Sequence, residues 1–203
     1  MTDDLELAEQ IVVVLGPPDS GKTNFVKTVF SREPYRRHWI YDPLKEYDGE
    51  EYNVVRPRNR RYDGGNEELN QTLDDAVMMA PEDLRPRYFV IDEANRTVPN
   101  GKEPGEAVQD MIDFNTHFAP GIGFWAIARR PAQLNTDLLE LYDEMFVFGL
   151  RGRNDRRAYK DMVSEELVEL LDEKEKFEFV HVDGEGNCTL FEPCEYQGEK
   201  VKI

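Results

Sequence analysis

The stretch from Ile11 to Thr23 decides the fold. Ile11-Val-Val-Val-Leu15 is an apolar run, and Gly16-Pro-Pro-Asp-Ser-Gly21-Lys22-Thr23 follows it directly. The second segment matches the pattern G-x-x-x-x-G-K-[ST], and a helical pattern over 23–30 comes next. A strand, this loop and a helix, in that order, form the context that a phosphate-binding loop requires. We therefore predict an α/β fold in which the loop binds the phosphates of a nucleotide.

The residue types of this loop explain how it would hold a nucleotide. Its glycines let backbone N–H groups converge on phosphate oxygens, and the following helix directs its positive end at the same charge. Lys22 is expected to reach the β- and γ-phosphates, and the Thr23 hydroxyl to bind Mg²⁺. Asp19 is expected to point to solvent. We assign the following residues to nucleotide binding: Gly16, Pro17, Pro18, Asp19, Ser20, Gly21, Lys22, Thr23 and Asn24.

A second apolar run, 88–91, ends in two acidic residues, Asp92 and Glu93. In an open α/β sheet, ligands bind beyond the C-terminal ends of the strands, so both carboxylates are expected beside the phosphate loop. We predict that Asp92 binds Mg²⁺ together with Thr23, and that Glu93 orients and deprotonates the attacking water. A water-activating base favours ATP hydrolysis over phosphorylation of a metabolite. The absence of the N-K-x-D element of guanine-binding enzymes also favours ATP.

Short apolar runs alternate with helical patterns along the chain, which predicts a single three-layer α/β domain over residues 1–203. Further strands are expected at 39–41, 52–55, 88–91, 124–128 and 145–148. Helices are expected at 66–79, around 108–118, around 134–142 and around 167–171. Residues 177–182 and 189–191 flank a turn, so the chain should end in a β-hairpin. The predicted architecture is a P-loop NTPase core of the RecA/ASCE type with a mostly parallel sheet.

The charge balance restricts the function. The chain has 203 residues with 42 Asp and Glu against 25 Lys and Arg, a net charge of −17. This balance excludes a simple basic DNA-binding module. The acid-rich, lysine-poor composition, with 16 Arg and 9 Lys, favours a halophilic source as a hypothesis. The sequence contains no apolar run long enough to span a membrane. From the acidic start at residues 1–6 we expect no secretory signal, and Cys188 and Cys194 are expected to be free thiols.

Five segments together resemble the FtsK–HerA superfamily of ring-forming, DNA-pumping ATPases. They are the phosphate loop, the 40–47 segment with its D-x-x-x-E-Y turn, and the segments 90–94, 126–134 and 145–155. The resemblance covers about residues 10–192. The 203 residues have the size of such a core alone, and in this they resemble most the small genome-packaging ATPases of icosahedral viruses with an internal membrane. A halophilic composition would fit a virus of haloarchaea.

The resemblance implies an ATPase that translocates double-stranded DNA and packages a viral genome into a preformed capsid. It also implies ATP and Mg²⁺ as ligands, sequence-independent contacts with duplex DNA, and a homo-oligomeric ring when active. Its partners would be capsid-vertex or viral membrane proteins, and its location the host cytoplasm or the virion.

An arginine is expected to complete the nucleotide site from a neighbouring subunit, because a single domain has no second lobe to supply it. The candidates for this finger or for a γ-phosphate sensor are Arg129, Arg130, Arg151 and Arg153, with Arg156 and Arg157 behind them. The superfamily often carries Gln before R-P at the end of the fourth strand as the sensor. Arg129 stands at that place here, and Gln133 is the other candidate for the same role.

Two segments are candidates for contacting DNA phosphates. One is 56–62, with four arginines, and the other is the loop after Glu93, with Arg96, Asn100, Gly101 and Lys102. Both also fit solvated loops that balance nearby acids. Two other functions stay open: a nucleotide kinase whose arginine-rich 56–61 segment binds an acceptor phosphate, and a non-translocating P-loop protein of assembly or secretion.

Overall fold

The computed structural model describes residues 7–31, 38–50, 52–58, 66–79 and 85–195. Within these ranges, eight strands form one sheet in the order β3-β2-β4-β5-β1-β6-β7-β8. The strands are β1 Ile11–Leu15, β2 His38–Tyr41, β3 Asn53–Val55, β4 Tyr88–Ile91, β5 Gly123–Ala128, β6 Glu144–Val147, β7 Phe179–Asp183 and β8 Cys188–Phe191. The first six strands in sequence pair in parallel, whereas β7 and β8 are antiparallel. The predicted mostly parallel sheet with a C-terminal hairpin is confirmed.

Helices cover both faces of this sheet. They are α1 Lys22–Phe30, α2 Glu67–Asp74 with a π-helical continuation Asp75–Met79, α3 Ala94–Thr97, α4 Glu106–Phe118, a 3₁₀ turn Pro131–Gln133, α5 Thr136–Glu140, α6 Gly152–Met162 and α7 Glu165–Glu173. Because successive side chains of a strand point to opposite faces, Val12 and Val14 pack with α1, and Val13 and Leu15 with the other helices. Together the sheet and the two helical layers form the predicted three-layer fold.

Aromatic packing fixes the orientation of α1, and thereby of the loop that precedes it. The ring of Phe25 is fully buried, and its centre lies 4.6 Å from that of Phe146 and 5.2 Å from that of Phe179. Aromatic pairs at such distances add to the free energy of burying their area. The helix that follows the loop is therefore held against β6 and β7.

The strand order brings three loops to one edge of the sheet. β5 lies between β1 and β4, with Val13 opposite Ala126 and Trp125 opposite Val90. Since all three strands are parallel, their C-terminal ends meet at the same edge. The phosphate loop, the Asp92–Glu93 pair and Arg129 follow these ends.

Three local expectations need correction. The segment 151–155, predicted as a turn, contains the start of α6 at Gly152, with Arg151 as the N-cap. This helix lacks an apolar stripe, because it has few buried residues, Asp155 and Tyr159 among them. The helix predicted around 134–142 is limited to Thr136–Glu140, because Leu134 closes the 3₁₀ turn and Asn135 caps α5. The segment immediately after Glu93 is a helical turn, α3, instead of a loop.

Cys188 and Cys194 are free thiols, as expected. No helix in the part of the chain that the structure describes is long and apolar enough to cross a membrane. Two expectations fall outside the described residues. The one about a secretory signal depends on residues 1–6, and much of one DNA-contacting segment consists of residues 59–62.

Candidate nucleotide-binding site

Glycine is required at both ends of the phosphate loop. A Cβ atom at Gly16 would lie 2.7 Å from the Cβ of Phe148, so any side chain there would displace the residue that follows β6. Gly21 has φ +106°, a conformation that residues with a side chain rarely adopt, and it is the N-cap of α1. The loop is therefore curled between β1 and α1 as the motif predicts.

The side chain of Lys22 folds back and contacts the start of the phosphate loop. Its Nζ donates hydrogen bonds to the carbonyl oxygens of Gly16, at 2.8 Å, and Pro17, at 3.0 Å. Burial lowers the pKa of this ammonium group, while the carboxylates of Asp92 and Glu93 oppose the shift. The cation is thus held at the mouth of the loop, next to the two acids.

Thr23 contacts a third carboxylate, to which sequence analysis assigned no role. The Thr23 hydroxyl donates a hydrogen bond of 2.8 Å to Glu46 Oε2. Glu46 belongs to the D-x-x-x-E-Y turn, in which the buried Asp42 accepts hydrogen bonds from the backbone N–H groups of Lys45, at 2.7 Å, and Tyr47, at 3.1 Å. Asp42 therefore shapes the turn that brings Glu46 to Thr23.

Asp92 is a buried carboxylate with spare acceptor capacity. Only 4% of the residue is exposed, and Oδ1 accepts the backbone N–H of Glu93 at 2.8 Å. Oδ2 is buried and has no hydrogen-bond partner among the described residues. Burial, and next the charge of Glu46, raise the pKa of Asp92 to about 7. A buried carboxylate oxygen of this kind, beside a threonine hydroxyl, fits a Mg²⁺ site, because hard cations prefer oxygen ligands.

Glu93 is held by two arginines. Its Oε1 accepts a hydrogen bond from Arg129 Nε at 2.7 Å, and its Oε2 one from Arg96 Nε at 3.3 Å. The residue has φ 50° and ψ 41°, a left-handed conformation that is uncommon for glutamate and is found at functional sites. The proposed water-activating base is therefore ion-paired at both oxygens in this structure.

The arginines predicted as finger or γ-phosphate sensor differ in their partners and their exposure. Arg130 Nε donates to the buried Asp155 Oδ1 at 2.8 Å, and the backbone N–H of Arg151 donates to Asp155 Oδ2 at 2.8 Å. Asp155 thus anchors both in their own chain, a role that sequence analysis missed because Asp155 lies in the unpredicted helix α6. Arg153 is exposed on α6. Arg156 pairs with Asp172, and Arg157 pairs with Asp161 at 3.3 Å.

Two cavities flank the phosphate loop. The large cavity, of about 830 Å³, is lined by Pro18–Asn24 together with other residues that include Glu46, Asp92, Glu93 and Arg129. The small cavity, of about 240 Å³, is lined by Pro17, Pro18, Glu93, Asn95, Arg96, Arg129, Arg130, Gln133 and Arg151. Glu93 and Arg129 contribute to both cavities, and Arg153 contributes to neither. The site therefore has a nucleotide-sized cleft on one side of the loop and an arginine-lined cleft on the other.

Two of the DNA-contacting candidates, Arg56 and Lys102, line neither cavity. Arg56 is exposed and donates a hydrogen bond to the Tyr47 carbonyl at 3.2 Å, and Lys102 is exposed in the segment after α3. Arg96 behaves differently from its neighbours in that candidate segment, because it pairs with Glu93. Its spacing of three residues from Glu93 within one helical turn is the signal from which this contact could have been found.

This fold and loop define a P-loop NTPase architecture, and solved structures share it. The genome-packaging NTPase B204 from Sulfolobus turreted icosahedral virus 2, in complex with AMPPCP, matches with a TM-score of 0.77 and 20% identity over 92% of this chain and 98% of that chain. The DNA-packaging ATPase B204 from Sulfolobus turreted icosahedral virus matches with a TM-score of 0.75 and 18% identity over 92% and 98%. The pCW3 conjugation coupling protein TcpA, in its monomer form with ATPγS, matches with a TM-score of 0.63 and 14% identity over 91% and 60%.

These likenesses establish the fold. They confirm the predicted P-loop NTPase architecture. No protein-family model and no curated protein matches the sequence.

Proposed function

We propose that this chain is an ATPase that translocates double-stranded DNA and packages a viral genome into a capsid. The observation that carries the proposal is the convergence of Lys22, Thr23, Asp92 and Glu93 on one cleft of nucleotide size. A fold match that spans 98% of the packaging NTPase B204 supports the finer part of the proposal.

The residues of the cleft have separate roles in hydrolysis. The loop N–H groups and Lys22 bind the phosphates, and Thr23 and Asp92 would hold Mg²⁺, which would neutralise charge on the phosphates. Glu93 accepts a proton from the attacking water. The arriving γ-phosphate offers the Arg129 guanidinium a second anionic partner, which frees Glu93 Oε1 for this proton transfer.

DNA translocation requires a ring and a surface that contacts phosphates. A chain with a net charge of −17 can contact duplex DNA only through local positive segments, and we assign this role to the segments around Arg56 and Lys102. Such contacts would follow the DNA backbone without reading its sequence. The capsid vertex or a viral membrane protein would be the docking partner.

The small cavity supports a second candidate function, a nucleotide kinase. Four arginines beside the phosphate loop, Arg96, Arg129, Arg130 and Arg151, form a group that can bind the phosphate of an acceptor. In that case phosphate would move to the acceptor instead of to water. Product analysis separates the two functions.

The test is steady-state phosphate release from ATP in molar KCl, with and without linear duplex DNA. Glu93→Gln is the inactive blank, and Glu140→Gln, an exposed acid on α5, is the matched control. We expect duplex DNA to stimulate release by the wild type and the control, and Glu93→Gln to lose about 10²–10⁴-fold of the rate while it still binds ATP. Equal rates with and without DNA would contradict a DNA motor, and phosphate transfer to an acceptor would favour the kinase.

A further inference from the structure

The large cavity extends beyond the residues that the proposed function uses. Its other wall is formed by Phe148, Lys176, Phe177, Pro193 and Cys194. None of these residues belongs to the phosphate loop or to the carboxylate group. They come from the end of β6, the turn between α7 and β7, and the segment after β8. A cleft of this size is larger than a triphosphate needs.

Phe177 is the most accessible aromatic residue of this wall. The residue is 43% exposed, although it lines a cleft, and its φ of +72° is a conformation that bulky residues rarely adopt. A Cβ atom at Gly21 would lie 3.5 Å from Phe177 Cδ1 and 3.7 Å from Phe148 Cδ1. The ring of Phe177 therefore lies beside Gly21, the N-cap of α1, where the phosphate loop ends.

One face of the Phe177 ring is occupied by a cation. Lys176 Nζ lies 4.6 Å from the ring centre. A cation that covers one face of an aromatic ring leaves the opposite face available for a planar group. The exposed fraction of Phe177 agrees with such a free face.

A short segment after β8, residues 192–195, forms the remaining wall, and we call it the C-terminal strap. Its position is fixed by α1, because Asn24 Nδ2 donates a hydrogen bond of 2.9 Å to the Glu195 carbonyl. This bond keeps Pro193 and Cys194 on the cavity wall. The helix that follows the phosphate loop thus also positions the far end of the cleft.

We propose that Phe177 and the C-terminal strap form the nucleobase subsite, in which the base of the nucleotide stacks on the Phe177 ring. This inference rests on the nucleotide binding proposed above. It gives the antiparallel β7–β8 hairpin and its flanks a role in ligand binding, beyond closing the sheet. Stacking on an aromatic side chain is tolerant of base identity, so Phe177 contributes affinity for the base more than discrimination between bases.

Calorimetric titration of two ligands separates this subsite from the phosphate loop. The ligands are ATP and inorganic tripolyphosphate, which has the phosphates without the base. The variants are Phe177→Ala, Phe177→Trp and, as a matched control, Phe114→Ala, whose ring is 55% exposed on α4 and lines neither cavity. For Phe177→Ala we expect ATP affinity to fall about tenfold or more and tripolyphosphate affinity to stay unchanged. Phe177→Trp and Phe114→Ala should bind ATP like the wild type.

Two results would overturn the subsite. One is ATP affinity of Phe177→Ala within about twofold of the wild type, because stacking contributes more than that. The other is an equal loss of ATP and tripolyphosphate affinity, which would mean that Phe177 acts through the shape of the phosphate loop. Lys22→Ala distinguishes failure of the proposed function, since it should lose both ligands whatever the role of Phe177.

Discussion

The two cavities beside the phosphate loop differ in whether their own lining residues are sufficient to bind a nucleotide. The large cavity combines Lys22 with the acids Glu46 and Asp92, and it has an aromatic wall at its other end. The small cavity contains four arginines and one glutamate, an excess of positive charge in a strongly acidic chain. The difference indicates that one chain suffices to bind a nucleotide. We propose that the arginine-lined side, in contrast, becomes part of a working site only with a bound γ-phosphate and a neighbouring subunit.

The largest expected effect is a loss of ATP binding in the large cavity. Lys22→Ala removes the cation that lies between the loop carbonyls and the acids, so ATP binding should become undetectable at concentrations that saturate the wild type. Equilibrium binding of ATP to the purified chain measures this loss. Lys102→Ala, which removes an exposed lysine in the segment after α3, is the control. Wild-type affinity of Lys22→Ala would remove the large cavity from nucleotide binding.

A smaller effect is expected for Arg130, which lines the small cavity and pairs with the buried Asp155. Arg130→Ala leaves the buried carboxylate of Asp155 without its side-chain partner, so we expect a loss of about 2 kcal/mol in the free energy of unfolding. Arg157→Ala breaks an exposed ion pair, and its cost should stay below about 0.5 kcal/mol. Chemical denaturation of both variants checks the difference. Equal stability of the two variants would show that Arg130 is not anchored as the structure has it.

The residues of the large cavity could be predicted from the sequence better than those of the small, arginine-lined cavity, for a physical reason. The phosphate loop and the Asp92–Glu93 pair are local motifs at strand ends, and short continuous apolar runs predict those strands. The contact of Glu46 with Thr23 and the place of Phe177 beside Gly21 join residues far apart in the chain, so no local pattern reveals them.

The roles of the individual arginines could not be predicted from the sequence either. Six candidates look alike as sequence, and only their partners separate them: Arg129 pairs with Glu93 and Arg130 with Asp155. Helix α6, which places Asp155, has few buried residues and escaped the hydrophobic pattern. The choice of an ion-pair partner depends on the fold, because long charged side chains reach several acids from one position.

The central proposal is that the nucleotide site is completed by an arginine of a neighbouring subunit. Arg153 is the candidate, since it is exposed and lines neither cavity of its own chain, whereas Arg151 lines the small cavity in cis. The direct measurement is phosphate release by mixed variants under ring-forming conditions with duplex DNA. Arg153→Ala mixed with Glu93→Gln should exceed the sum of the separate activities, because one kind of interface then has both groups intact. Arg151→Ala mixed with Glu93→Gln should not. If the Arg153→Ala mixture only reaches that sum, or if Arg153→Ala alone is as active as the wild type, the claim is wrong.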